Sequence, residues 1–113
     1  MRHADLEAAR SLHSALKLIM VRHVGGADLR ALRRVVDLCR GLTEALDDEY
    51  CREKVRVVAE YASEMLAHSE HHRWGMDFLK RQISDALELI DSRLFSLEFV
   101  RRGPGRSVAL QFR

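Results

Sequence analysis

Apolar residues recur three and four positions apart through most of the chain, the spacing of an amphipathic helix. From Asp5 to about His23 the stripe reads Leu6, Ala9, Leu12, Leu16, Ile19 and Met20, followed by Val24. Asp5 is placed to cap the start, and Gly25-Gly26 to stop the helix. Asp28 then caps a second stripe of Leu29, Leu32, Val35/Val36, Cys39 and Leu42, with Gly41 weakening its end. The acidic run Asp47-Asp48-Glu49 suits a third helix start, because carboxylates complement the positive end of the helix dipole. Its stripe is Cys51, Val55, Val58, Ala62, Met65 and Leu66, and the pattern lasts to about His72, which is about 38 Å of helix. After Gly75, Asp77 can cap a fourth helix with Leu79, Ile83, Ala86/Leu87, Ile90 and Leu94 on one side. The pattern therefore predicts helices over about 5–23, 28–41, 47–72 and 77–96.

Beyond residue 96 the period changes. Leu97 and Phe99, then Val108, Leu110 and Phe112, alternate with Glu98, Ser107 and Gln111 around Arg102-Gly103-Pro104-Gly105. That alternation predicts a β-hairpin with the Gly-Pro-Gly turn at its tip, or an extended tail, over 97–113. The expected architecture is a mainly α, small helical bundle of three to four helices closed by this C-terminal element, in one domain spanning 1–113. The connection of about four residues between the first two helices makes them antiparallel neighbours.

A length of 113 residues, with 47% hydrophobic and 32% charged, excludes a disordered chain. The longest apolar run, Leu18 to Val21, is far below the ~18 residues of a membrane span. The start, Met1-Arg2-His3-Ala4-Asp5, leads into an acidic amphipathic stretch and not a signal peptide, so a cytoplasmic address is expected. Cys39 and Cys51 form no CxxC pair and read as reduced thiols on packed faces. Leu18, Val21, Val57 and Leu89 fall outside the tightest stripes, an apolar excess that a homodimer would cover.

Charge adds little in total and more in its distribution. The net is +2, yet residues 22–42 carry Arg22, Arg30, Arg33, Arg34 and Arg40 against Asp28 and Asp37. The stretch that follows, Glu44 to Glu53, is acidic, and the tail has Arg101, Arg102, Arg106 and Arg113 without an acid. Arg30, Arg33, Arg34 and Arg40 on a short helix after a glycine turn are candidate contacts to DNA or RNA. Asp37 on the same face and the acidic stretch weigh against that use.

The chemistry-bearing clusters are sparse. Glu64, His68 and His72 stand at i, i+4 and i+8, with His71 beside them, a donor set of the kind that holds zinc or nickel. The spacing matches neither H-E-x-x-H nor a complete zinc-deaminase signature, and Glu-x-x-His does not occur, so no metal or other cofactor is expected. His13-Ser14-Ala15-Leu16-Lys17 resembles the H-x-L-K-G around the phosphoacceptor of histidine phosphotransfer domains. It departs twice, with one residue inserted before Leu16-Lys17 and Leu18 in place of Gly. A half-buried structural histidine is the reading preferred for His13. Nucleophile elbows and phosphate-cradling glycine loops are absent, so the chain does not read as an enzyme.

All seven aromatics lie at or beyond residue 50. Aromatic side chains anchor protein interfaces, so Trp74, Phe78, Phe95 and Phe99 are the candidate partner-binding residues, with Arg101 and Arg102 steering toward an acidic rim. The expectation that results is a small bacterial regulatory or adaptor protein. It would act by protein–protein binding as an anti-activator or chaperone-like partner, with nucleic-acid binding as the alternative.

Overall fold

A computed structural model describes residues 5–23, 26–67 and 75–102, with side chains to residue 100. Four helices follow one another: α1 (Leu6–Arg22), α2 (Leu29–Ala45), α3 (Glu49–Ala67) and α4 (Met76–Arg102). Among the described residues every regular element is a helix, and none is long and apolar enough to cross a membrane.

Each of the first three starts on an aspartate. Asp5 accepts from the Ala8 N–H and Asp28 from the Ala31 N–H, both at 3.0 Å, and Asp48 accepts from the Cys51 N–H at 3.0 Å. A side-chain oxygen at this position satisfies one of the N–H groups that a helix start leaves without an internal partner. The cap residues also tie helix to helix. The Asp5 N–H donates to the Ala45 carbonyl at the end of α2, and the Asp28 N–H to the Leu66 carbonyl in the last turn of α3. Those bonds place the start of one helix beside the end of the next, which makes α1/α2 and α2/α3 antiparallel. Arg93 of α4 reaches Asp48 before α3, and Arg10 of α1 pairs with Glu98 of α4, so the α3/α4 and α4/α1 pairs are antiparallel too. The result is an up-down-up-down ring in which α1 also packs on α4.

The core is aliphatic. Leu16, Val35, Leu42, Leu46, Val58, Met65, Leu66, Leu79, Ile83, Ile90 and Leu94 are fully enclosed. The predicted stripes of α3 and α4 are buried at every position, whereas Leu29, placed on the core face of α2 by its spacing, is exposed. It stands at the first position of the helix, where the chain arrives from the connection and the bundle does not yet cover it.

Two helix ends differ from the sequence pattern. α2 passes through Gly41 to Ala45, because Leu42 and Leu46 bury their side chains and Gly41 faces Leu12 of α1. A β-carbon at Gly41 would lie 3.2 Å from Leu12 Cδ1, so the glycine here serves the close approach of two helices and not a stop. α4 runs through Leu97 and Phe99 to Arg102, where the alternation predicts a strand; Leu97 packs on the core as a helical residue. The turn and second strand of the expected hairpin, in 103–113, lie outside the described residues. Gly26 in the first connection has φ of +78°, the left-handed region that favours glycine.

Candidate functional site

Among the described side chains the last buried position of α4 is Leu94, and the helix continues for about two more turns. Those turns carry three exposed apolar side chains: Phe95 is 67% exposed, Phe99 45% and Val100 70%. Phe95 and Phe99 are i and i+4, neighbours on one face of the helix. None of the described aromatics belongs to the enclosed core.

This end of α4 is held from both sides. Asp48 Oδ1 accepts from Arg93 Nη2 at 2.7 Å and Asp48 Oδ2 from Arg93 Nε at 3.1 Å, a two-pronged pair joining α4 to the start of α3. The bond to Arg93 lowers the Asp48 carboxyl below its ordinary value, against a smaller opposing effect of burial. The Arg93 guanidinium also lies over the Tyr50 ring, 6.0 Å from its centre, and Lys54 over the same ring at 5.3 Å. On the other flank Arg10 and Glu98 approach to 3.8 Å. Such anchoring presents Phe95 and Phe99 on a rigid element, which lowers the ordering cost of a contact made there.

The structure does not unite all the aromatic candidates. Phe78 stands 17 residues before Phe95, about 26 Å along the axis. It meets Tyr61 of α3 edge to face, with ring centres 6.0 Å apart. Trp74 lies outside the described residues, and the side chains of Arg101 and Arg102 are likewise not described. Val100 escapes the sequence argument because the strand-like alternation hides its place on the same helix as Phe95 and Phe99.

On α2, Arg30, Arg33, Arg34 and Arg40 are all exposed and share one face. Asp37 sits in the middle of it, 3.6 Å from Arg40, and so interrupts the basic stripe. Of the residues considered for a metal, Glu64 is a partly buried residue of α3, while His68, His71 and His72 lie outside the described residues. Among the described residues no group of three His, Cys, Asp or Glu side chains is close enough to hold an ion. His13 is buried, with its Nε2 hydrogen-bonded at 2.8 Å to the Leu87 carbonyl of α4. The imidazole links two helices, more enclosed than the half-buried position its spacing suggests. Cys39 and Cys51 are free and buried, and burial pushes both thiols up to about 12.

The chain matches no protein-family model, no curated protein and no solved structure.

Proposed function

We propose that this is a small, non-enzymatic regulatory or adaptor protein that works by protein–protein contact, through the C-terminal turns of α4. The observation that carries the reading is the exposure of Phe95, Phe99 and Val100 within six residues of a helix anchored by Arg93 and Glu98. Clustered exposed apolar side chains on a soluble domain mark an interaction surface, and aromatics supply most of the energy at such surfaces. The partner is a protein whose apolar surface is covered on binding, in the manner of an anti-activator or chaperone-like subunit. The basic residues Arg101 and Arg102, next along the chain, suit an acidic rim on that target. In this reading the protein is bacterial and cytoplasmic, and a second copy of the chain covers Leu18, Val21 and Leu89, all exposed in the single chain.

The test is affinity capture with the tagged protein from nuclease-treated lysate, comparing wild type with the double substitution Phe95→Ser and Phe99→Ser. A stoichiometric protein partner that is lost on the double substitution, with far-ultraviolet circular dichroism unchanged, supports the reading. Capture that is unaffected by the substitution, or that disappears with nuclease, refutes it. The nuclease-sensitive result would favour nucleic acid on the exposed Arg30, Arg33 and Arg34, and such binding would fall steeply with added salt.

A further inference from the structure

The seam between α1 and α4 opens into a cleft of about 290 Å³, the small end of the range for sites that take organic ligands. Its floor is Met20, Met65, Ile83 and Leu87, from three helices. Polar side chains come to it from α1, the residue after α1, and α4, and their order along the seam follows from the packing. The bond from His13 to the Leu87 carbonyl sets the register of two antiparallel helices. Ten residues along α1 from His13 lies His23, level with residues near 77 of α4. Lys80 is then within about 5 Å in height of His23, whereas Glu88 and Asp91 lie about 17 and 21 Å further along the axis. Lys17 falls between the two ends. The cleft therefore runs from an imidazole-and-lysine end, over an apolar floor, to an acidic end.

His23 makes this arrangement more than a crease. Its Nε2 is enclosed and has no hydrogen-bond partner among the described residues. An enclosed polar atom left unpaired costs about 1–3 kcal/mol, a cost that a bound ligand would remove once the ring turns that nitrogen into the cleft. Lys17 and Lys80 also make no ion pair within the described residues. We propose that the α1–α4 cleft binds a small amphipathic monocarboxylate, with the carboxylate between His23 and Lys80 and the apolar body on Met20, Met65, Ile83 and Leu87. A carboxylate fits because it accepts from both a ring N–H and an ammonium, and charge-assisted bonds of this kind are the stronger ones. A second carboxylate on the same ligand would meet Glu88 and Asp91, so the site discriminates against diacids. This site is independent of the surface at the end of α4.

The experiment is titration calorimetry of the full chain with hexanoate, hexylamine, hexan-1-ol and adipate, which share a six-carbon body and differ in their end groups. Hexanoate is expected to bind tightest and adipate more weakly. Lys80→Glu, a change at an exposed position, should weaken hexanoate by about tenfold and leave hexan-1-ol unchanged. His23→Leu should also weaken hexanoate while raising the stability of the unliganded protein, because it removes an unpaired enclosed nitrogen. Hexylamine binding as tightly as hexanoate overturns the proposal, as does hexanoate binding that neither substitution alters. The absence of binding by any of the four at millimolar concentration also overturns it.

Discussion

Asp48 carries two interactions that can be separated by choice of substitution. One oxygen caps α3 through the Cys51 N–H, and the carboxylate as a whole holds Arg93 of α4. Loss of an N-cap side chain costs about 1 kcal/mol. A charge-assisted pair is worth about 1.5–3 kcal/mol when enclosed. The Arg93 side chain is 39% exposed against 12% for Asp48, so solvent screening brings the pair down to about 1 kcal/mol. Asp48→Ala removes both and should cost about 2 kcal/mol. Asp48→Asn keeps a competent cap and should cost about 1 kcal/mol. Arg93→Met keeps much of the stem and should cost a similar amount, and the Asp48→Asn, Arg93→Met cycle should yield a coupling of about 1 kcal/mol. Urea unfolding followed by circular dichroism measures the wild type and all four variants. Because the folded-state Asp48 value is lowered by Arg93, the pair stabilises the fold fully above the ordinary carboxylate value of about 3.9. That stabilisation is lost as pH falls through the folded-state value, so wild type and Asp48→Asn should converge in acid. Equal losses for Asp48→Ala and Asp48→Asn at neutral pH, or a gap between wild type and Asp48→Asn that persists unchanged in acid, would refute the assignment of two separable roles.

Three further outcomes follow from the packing. Gly41→Ala should change stability by less than about 1 kcal/mol, because the gain in helix propensity is opposed by a methyl only 3.2 Å from Leu12 Cδ1. Gly41→Leu should instead cost about 1–3 kcal/mol through overpacking, and thermal unfolding distinguishes the two. His13→Ala should cost about 2 kcal/mol in urea unfolding, about half of it the bond to the Leu87 carbonyl and the rest the space left between α1 and α4. Burial holds the Cys39 and Cys51 thiols up to about 12, so a maleimide at mildly alkaline pH should label neither cysteine until denaturant is added.

Much of the bundle was legible in the chain because α3 and α4 pack on both neighbours through one unbroken stripe. Cys51 to Leu66 and Leu79 to Leu94 are buried as their spacing requires. The Asp5 and Asp28 caps were equally legible, since their chemistry is local, whereas α4 starts at Met76 and leaves Asp77, the expected cap, inside its first turn. The ends of α2 and α4 were not, because distant contacts decide them. Leu12 makes Gly41 an internal helical residue, and Leu97, packed on the core, extends a helix through a strand-like alternation. Of the candidate surface, Phe95 and Phe99 were visible as aromatics, but their shared face depends on α4 continuing. Phe78 was drawn into the same group by residue type alone, and the helix length separates it. The α1–α4 cleft left no signal in spacing, since His23 and Lys80 come to one end of it and Glu88 to the other only when two antiparallel helices are brought into register.

The contact surface itself is tested most directly by placing a photo-crosslinking amino acid at position 95, and separately at position 33, and irradiating in the native cells. The proposed contact through α4 predicts defined adducts with a single protein target from position 95 and none from position 33. Nucleic-acid adducts from position 33 with none from position 95 would contradict it.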